Sequence, residues 1–191
     1  MKKLLRVLSV LLLIASPAVL FAQSGNTNWE SIYEPGDVML SISAGVAFPF
    51  AFTVYPGAEF MIYQLSALPI DFGAAVRGQF ATLGSSVLGY NYGYMSFGAG
   101  AFGTAHLSFN NLENSVAQWL ENFDFYVSLG LAVNYFTYTG YWASDTPQLR
   151  FGFASFEGVN WFFAENIALK LEYAYWGYVG SQATVGILFR L

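Results

Sequence analysis

Apolar and polar side chains alternate with a period of two along much of this 191-residue chain, charged residues make up only 10%, and no long apolar run follows the first 22 residues. These observations predict an all-β fold, a transmembrane antiparallel up-and-down β-barrel of about eight strands. The stretch 161–191, WFFAENIALKLEYAYWGYVGSQATVGILFRL, shows the division most clearly. Ile167, Leu169, Leu171, Tyr173 and Tyr175 fall on one face, with Ala168, Lys170, Glu172 and Trp176 on the other; Ala183, Val185, Ile187, Phe189 and Leu191 oppose Thr184, Gly186, Leu188 and Arg190. A face carrying Lys170, Glu172 and Arg190 is no dry core, and its opposite is too apolar for water. With 55% hydrophobic residues, 19 Gly, 13 Tyr and 19 Phe, mean hydropathy is still only +0.45. Helical spans need runs of ~18 or more apolar residues, so strands and not helices would cross the bilayer.

Residues 1–22 read as a cleaved signal peptide: Lys2, Lys3 and Arg6, then the apolar core Val7 to Ile14, then Ala15-Ser16-Pro17, with cleavage after Ala22. Beyond it stand four basic residues against twelve acidic ones, a balance of −8, so nucleic acid is not an expected partner. Residues 23–36 are polar and turn-rich, a periplasmic lead-in. The barrel follows over 37–191, with strands expected at 37–48, 57–65, 70–81, 90–107, 123–138, 149–163, 167–176 and 182–191. Pro49 to Pro56, Leu83 to Gly89 and Gly140 to Gln148 read as outer loops. Asn110 to Asn122 is too long for a periplasmic turn; Leu112, Val116, Trp119 and Leu120 repeat at helical spacing with Asn111 as N-cap, which predicts a short amphipathic helix at the inner interface. Phe125, Trp161, Phe163 and Phe189 fit an inner aromatic girdle; Tyr135, Phe151, Tyr173 and Tyr175 fit an outer one. Glu157 falls on the lipid face, where a bulge beside Gly158 would redirect it.

The ending Thr184-x-Gly186-x-x-Phe189-x-Leu191 resembles the C-terminal signal that hands bacterial outer-membrane barrels to their insertion machinery, with Leu191 where an aromatic residue is usual. The stretch 163–173 is similar to the periplasmic turn and penultimate strand of small OmpA-like barrels. The resemblance covers about thirty residues closely and the rest in architecture, and it implies an OmpA/OmpX/OmpW-like eight-stranded barrel in the bacterial outer membrane. Its implied partners are outer-membrane lipid and the insertion machinery. No soluble peptidoglycan-binding domain is expected after a chain that ends on a strand.

The remaining chemistry points inward. Arg77, Arg150, Lys170 and Arg190 share inward parity with Glu59, Asp71, Asp124 and Glu172. Eight strands leave room for side chains and little else, so the four cations and four anions are expected to pair and plug the lumen; the other reading is a selectivity lining for a narrow OmpW-like channel for small or apolar solutes. His106-x-Ser108 resembles the His-x-Ser pair of outer-membrane lipid A deacylases, with Glu113 or Glu121 to orient the base. Phe109 replaces that family's Asn, and His106 has inward parity at the periplasmic end, so a non-enzymatic protein is expected. With no cysteine, no phosphate-binding Gly loop and no His/Asp cluster at ligand spacing, neither metal nor cofactor is expected. The expected role is structural or surface-interacting (adhesin-like), through outer-loop aromatics Tyr141, Trp142 and the Tyr90–Tyr94 cluster.

Overall fold

A computed structural model describes residues 31–47, 51–65, 68–87, 90–108, 110, 120–140, 148–177 and 179–191. The alternating segments form eight strands: β1 (Val38–Ala47), β2 (Ala51–Gln64), β3 (Ile70–Val87), β4 (Tyr90–Ser108), β5 (Phe123–Gly140), β6 (Gln148–Ala164), β7 (Ile167–Trp176) and β8 (Gly180–Arg190). Each pairs antiparallel with its neighbours in chain order, and β1 also pairs with β8, so the sheet closes. Closure leaves no sheet edge at the level of the shorter strands, the condition for holding backbone polar groups in an apolar medium. An even strand count brings the described ends, at 31 and 191, to one mouth, called here the terminal end; the strand-end pairs Ala47↔Ala51, Val87↔Tyr90 and Trp176↔Gly180 stand at the other, the hairpin end.

Side-chain parity follows the sequence pattern. Leu40, Ile42, Val76, Leu129, Leu131, Phe153, Leu171, Val185 and Ile187 are exposed outward, whereas Met39, Glu59, Arg77, Asn134, Lys170 and Trp176 are buried inside. Two stretches differ from the sequence reading. Residues 51–56, taken as loop because Pro49 and Pro56 bracket them, form the first part of β2. Proline is tolerated there because the β2–β3 ladder runs from Val54↔Phe80 to Gly57↔Arg77 without Tyr55 or Pro56, while pairing with β1 continues through Ile42↔Pro56. Residues 83–87 continue β3, paired with β4 as far as Val87↔Tyr90; their Gly and Ser content does not break a strand whose ladder persists. A register shift between Met61 and Tyr63 turns Ile62 and Tyr63 both outward, as a bulge does. The segment expected to be a helix falls mostly on 111–119, and the expected signal peptide on 1–22; both lie outside the described residues.

The strands differ greatly in length. β1, β7 and β8 have 10, 10 and 11 residues; β3, β4, β5 and β6 have 18, 19, 18 and 17. A bilayer crossing takes ~9–11 strand residues, so the short strands just suffice and the long ones overshoot at the hairpin end.

Close strand packing makes one glycine of the C-terminal pattern structurally necessary. A Cβ on Gly186 would lie 2.3 Å from the Ile42 carbonyl oxygen and 2.6 Å from Ser43 Cβ, whereas one on Gly103 would meet nothing within 4 Å. Gly186→Ala is therefore expected to cost ~1–3 kcal/mol through forced backbone displacement, and Gly103→Ala almost nothing. Equilibrium urea unfolding of the refolded barrel measures both; equal midpoints for the two variants would refute the packing argument.

Candidate functional site

The lumen is filled in layers. At the terminal end Ile32 and Tyr33, preceding β1, pack with Met39, Met61, Phe162, Ala168 and Leu188. Toward the hairpin end, Tyr55, Phe102, Phe136, Phe156 and Trp176 form an aromatic layer with Tyr94 and Tyr138 against it. Phe156 meets Tyr55 and Phe102 edge-on at 5.5 and 5.3 Å. Between these apolar layers lie the charges.

Two charge centres organise them, one around a carboxylate and one around an imidazole. Glu172 accepts from Arg77 Nη1 at 2.7 Å, Ser43 Oγ at 2.6 Å and Thr184 Oγ1 at 3.1 Å, and from the Tyr126 hydroxyl; Lys170 Nζ stands 3.3 Å away. The two cations also rest on rings: Arg77 lies 4.1 Å from the centre of Phe156, and Lys170 4.0 Å from that of Tyr126. The second centre is His106. Its Nε2 is 2.8 Å from Glu59 Oε1 and its Nδ1 2.9 Å from Asp124 Oδ2. Two carboxylate oxygens facing both ring nitrogens is a geometry that the doubly protonated imidazolium satisfies. Asp124 also accepts from Asn160 Nδ2 and the Tyr33 hydroxyl, both at 2.7 Å, and Thr104 donates to Glu59. Burial, then the neighbouring Asp124 carboxylate, push the Tyr33 phenol well above its usual range, so it remains a donor.

The eight charges expected to pair are thus sorted differently. Arg77, Lys170 and Glu172 meet one another. Glu59 and Asp124 take His106 as their cation. Asp71 is held by the hydroxyls of Ser31 and Ser108. Arg150 lies toward the hairpin end, bonded to Gln148 and 5.6 Å from the centre of Phe136. Arg190 caps the terminal mouth, donating to the Ile32 carbonyl and, at 3.0 Å, to that of Glu165. The sequence reading overlooked His106 as a structural cation and missed Ser31, Tyr33, Ser43, Thr104 and Tyr126 as partners.

Other candidate residues separate cleanly. His106 and Ser108 do not bond each other: both His106 nitrogens face carboxylates, and Ser108 meets Ser31, Asp71 and the Ile32 N–H. Neither faces the outer wall. In β8, Thr184 points inward onto Glu172, while Phe189 and Leu191 are exposed outward. Glu157 does face outward, opposite Val127 and Tyr173; pairing runs unbroken through Gly158, and the nearby irregularity falls instead between Phe162 and Ala164. Tyr94 turns inward against Phe136 and is not a loop contact. Tyr141, Trp142 and Glu113 lie outside the described residues. Among the described residues no group of three or more His, Cys, Asp or Glu could hold a metal ion.

The Glu172 cluster gives a measurable coupling. Glu172→Ala is expected to destabilise the refolded barrel by ~3–5 kcal/mol, because Arg77 and Lys170 are left buried without a counter-charge. Removing charge on both sides, with Arg77→Met and Glu172→Gln together, is expected to cost less than the sum of the two single changes. Denaturant unfolding of the four proteins in a double-mutant cycle tests this; strict additivity would show that the pair is not coupled.

No family model and no curated protein matches the sequence. Solved structures of similar form do exist. The Yersinia pestis attachment invasion locus protein Ail, solved with the heparin analogue sucrose octasulfate, matches at 12% identity over 83% of this chain and 100% of its own, with a TM-score of 0.51. Neisserial surface protein A matches at 15% identity over 83% of this chain and 98% of that one (TM-score 0.46), and the N-terminal barrel domain of Pseudomonas aeruginosa OprF at 17% over 82% and 98% (TM-score 0.42). Ail is elsewhere described as an outer membrane protein. At such low identity the match to Ail shows a shared fold, the small eight-stranded barrel, and nothing finer.

Proposed function

We propose that this chain is a non-enzymatic integral outer-membrane barrel, exported through its N-terminal signal peptide, whose lumen is closed and whose raised wall is a surface for protein partners. The apolar exterior and paired backbone suit a bilayer, and the family resemblance together with the Ail-like fold favours the bacterial outer membrane. The filled lumen favours the plug over a narrow solute channel. One observation carries the surface role: the wall is uneven, and the uneven part has free edges.

The β2–β3 ladder ends at Phe52↔Thr82, so among the described residues no strand pairs with Leu83–Val87 on that side. The β6–β7 ladder ends at Ala154↔Trp176, so among the described residues no strand pairs with the β7-facing side of Gln148–Gly152. Among the described residues, a four-stranded sheet, β3 to β6, therefore stands above the closed ring with two edges that no strand covers. Such an edge is a template for an added strand. Along the β6 edge, Leu149 and Phe151 are 61% and 73% exposed, an apolar surface suited to protein contact.

The β6 edge can be blocked selectively. The Phe153 carbonyl accepts from Gly177 N–H, so Phe153 and, by alternation, Phe151 and Leu149 direct their backbone groups toward the free side. Leu149→Pro and Phe151→Pro together remove two edge donors while sparing the ladder to β5. The refolded chain is expected to bind a fluorescent alternating Thr/Val decapeptide more tightly than a proline-interrupted peptide of the same composition, and the double proline variant is expected to lose that preference with its β-sheet circular dichroism retained. Indifference of the wild type to the two peptides would overturn the strand-addition reading. Steady channels from the refolded chain in planar bilayers would overturn the closed lumen.

A further inference from the structure

The seven residues before β1, 31–37, do something that their polar, turn-rich composition does not announce. They leave the wall and cross its mouth. Ser31 donates to Asp71 on β3 and lies 2.9 Å from the Ser108 hydroxyl on β4. The Ile32 N–H donates to Ser108 Oγ at 3.2 Å, and its carbonyl accepts from Arg190 on β8. Tyr33, 1% exposed, donates to Asp124 on β5 and presents its ring edge-on to His106 at 5.2 Å and to Phe162 on β6 at 5.9 Å. Gly36 N–H returns to the Met61 carbonyl on β2 at 2.9 Å, and Met61 N–H to that of Asp37 at 3.0 Å. These hydrogen bonds and ring contacts tie the segment to β2, β3, β4, β5, β6 and β8.

Its hold differs in kind from that of a strand. A strand is tied by a continuous ladder on both sides. Residues 31–33 hold to the barrel through side-chain groups and two apolar residues, with backbone bonds to β2 only from Gly36 onward. Segments with few backbone bonds open at lower free energy than the sheet they cover. We propose that residues 31–37 are a hinged strap that latches the terminal mouth through Tyr33, and that its release admits water to the inner lumen while all eight strands stay paired. The vestibule uncovered would carry Glu59, Asp71, His106 and Asp124 on its walls and stop at the aromatic layer of Tyr55, Phe102, Phe156 and Trp176. The hairpin end stays sealed, so the strap governs access to a blind compartment and not to a pore.

The sequence contains no cysteine, so a single introduced thiol reports access without background. Met61→Cys places it beneath the strap; Ala154→Cys places it in the aromatic layer. Both parent side chains are buried. The full chain, refolded in detergent, is treated with a charged methanethiosulfonate reagent. Tyr33→Phe keeps the ring and removes one hydrogen bond to a carboxylate, so the open fraction, and with it the Met61→Cys labelling rate, is expected to rise about tenfold to a hundredfold. Ser31→Ala is expected to raise it as well, and Ala154→Cys to stay slow in every background. Leu188→Cys, also beneath the strap, serves if Met61→Cys does not fold. Labelling beneath the strap that is unchanged by Tyr33→Phe would overturn the latch. Parallel acceleration at position 154 would overturn it too, since it would mean loosening of the whole barrel.

Discussion

The carboxylate of Glu172 takes partners from β1, β3, β5 and β8 and stands beside Lys170 on its own strand. The rest of the interior depends on that arrangement. The ring of eight strands is filled by side chains, so any charge placed inside it must be neutralised by its neighbours at a desolvation cost of several kcal/mol per ion. Glu172 meets this by using both oxygens, each with at least two donors. The His106 centre repeats the solution closer to the terminal mouth, joining β2 through Glu59 and β5 through Asp124, with Asn160 adding β6. Between them the two centres brace every strand of the barrel from inside. Contacts that share one carboxylate are expected to be coupled and not to act as separate pairs.

Strand number, parity and the inward direction of the charges were legible in the sequence because all three follow from a period of two. Partner identity was not. Parity says that Glu59 and His106 both face inward; whether they sit at one height depends on the register of β2, β3 and β4, which the one-dimensional pattern does not contain. Counting four basic against four acidic residues suggested a self-contained set, yet Arg150 and Arg190 lie toward opposite ends and His106 takes a cation's place between Glu59 and Asp124. The error on β2 has a different origin. Two prolines within eight residues are a sound loop signal, and it failed because Pro56 sits where the ladder to β3 is interrupted. The strap was invisible for a third reason: Ser31 and Tyr33 are ordinary residues of a polar lead-in, and only the closed barrel gives them Asp71 and Asp124 to meet.

The strand lengths divide the sheet into a closed ring and a taller part of the wall. The hairpins β1–β2 and β7–β8 keep to what closure requires. The four middle strands run on past it, so among the described residues their ladders are two-sided inward of the rim and one-sided at Leu83–Val87 and Gln148–Gly152 beyond it. Free edges are ordinarily a liability to be blunted with charge, bulges or proline. On β6 the residues at the edge are instead Gln148, Leu149, Arg150, Phe151 and Gly152, with Leu149 and Phe151 exposed outward and Arg150 on the opposite face near Phe136. That composition is compatible with the strand addition proposed above.

The same unevenness accounts for Glu157. On a barrel of uniform height, a carboxylate facing outward between Phe153 and Trp161 would lie deep in the lipid, where it is unfavourable. The height is not uniform here. Glu157 pairs with Tyr173, only three ladder positions from the rim at Ala154↔Trp176, and its outward neighbours toward that rim are Ser155 and Tyr175. On this side the bilayer must end near the short β7–β8 hairpin, because ten or eleven strand residues leave nothing to spare. Glu157 therefore falls in the interfacial zone with the tyrosines, where the cost of a charge drops steeply with depth. Its position follows from the rim's low point; neither a bulge nor a change of face is needed to explain it.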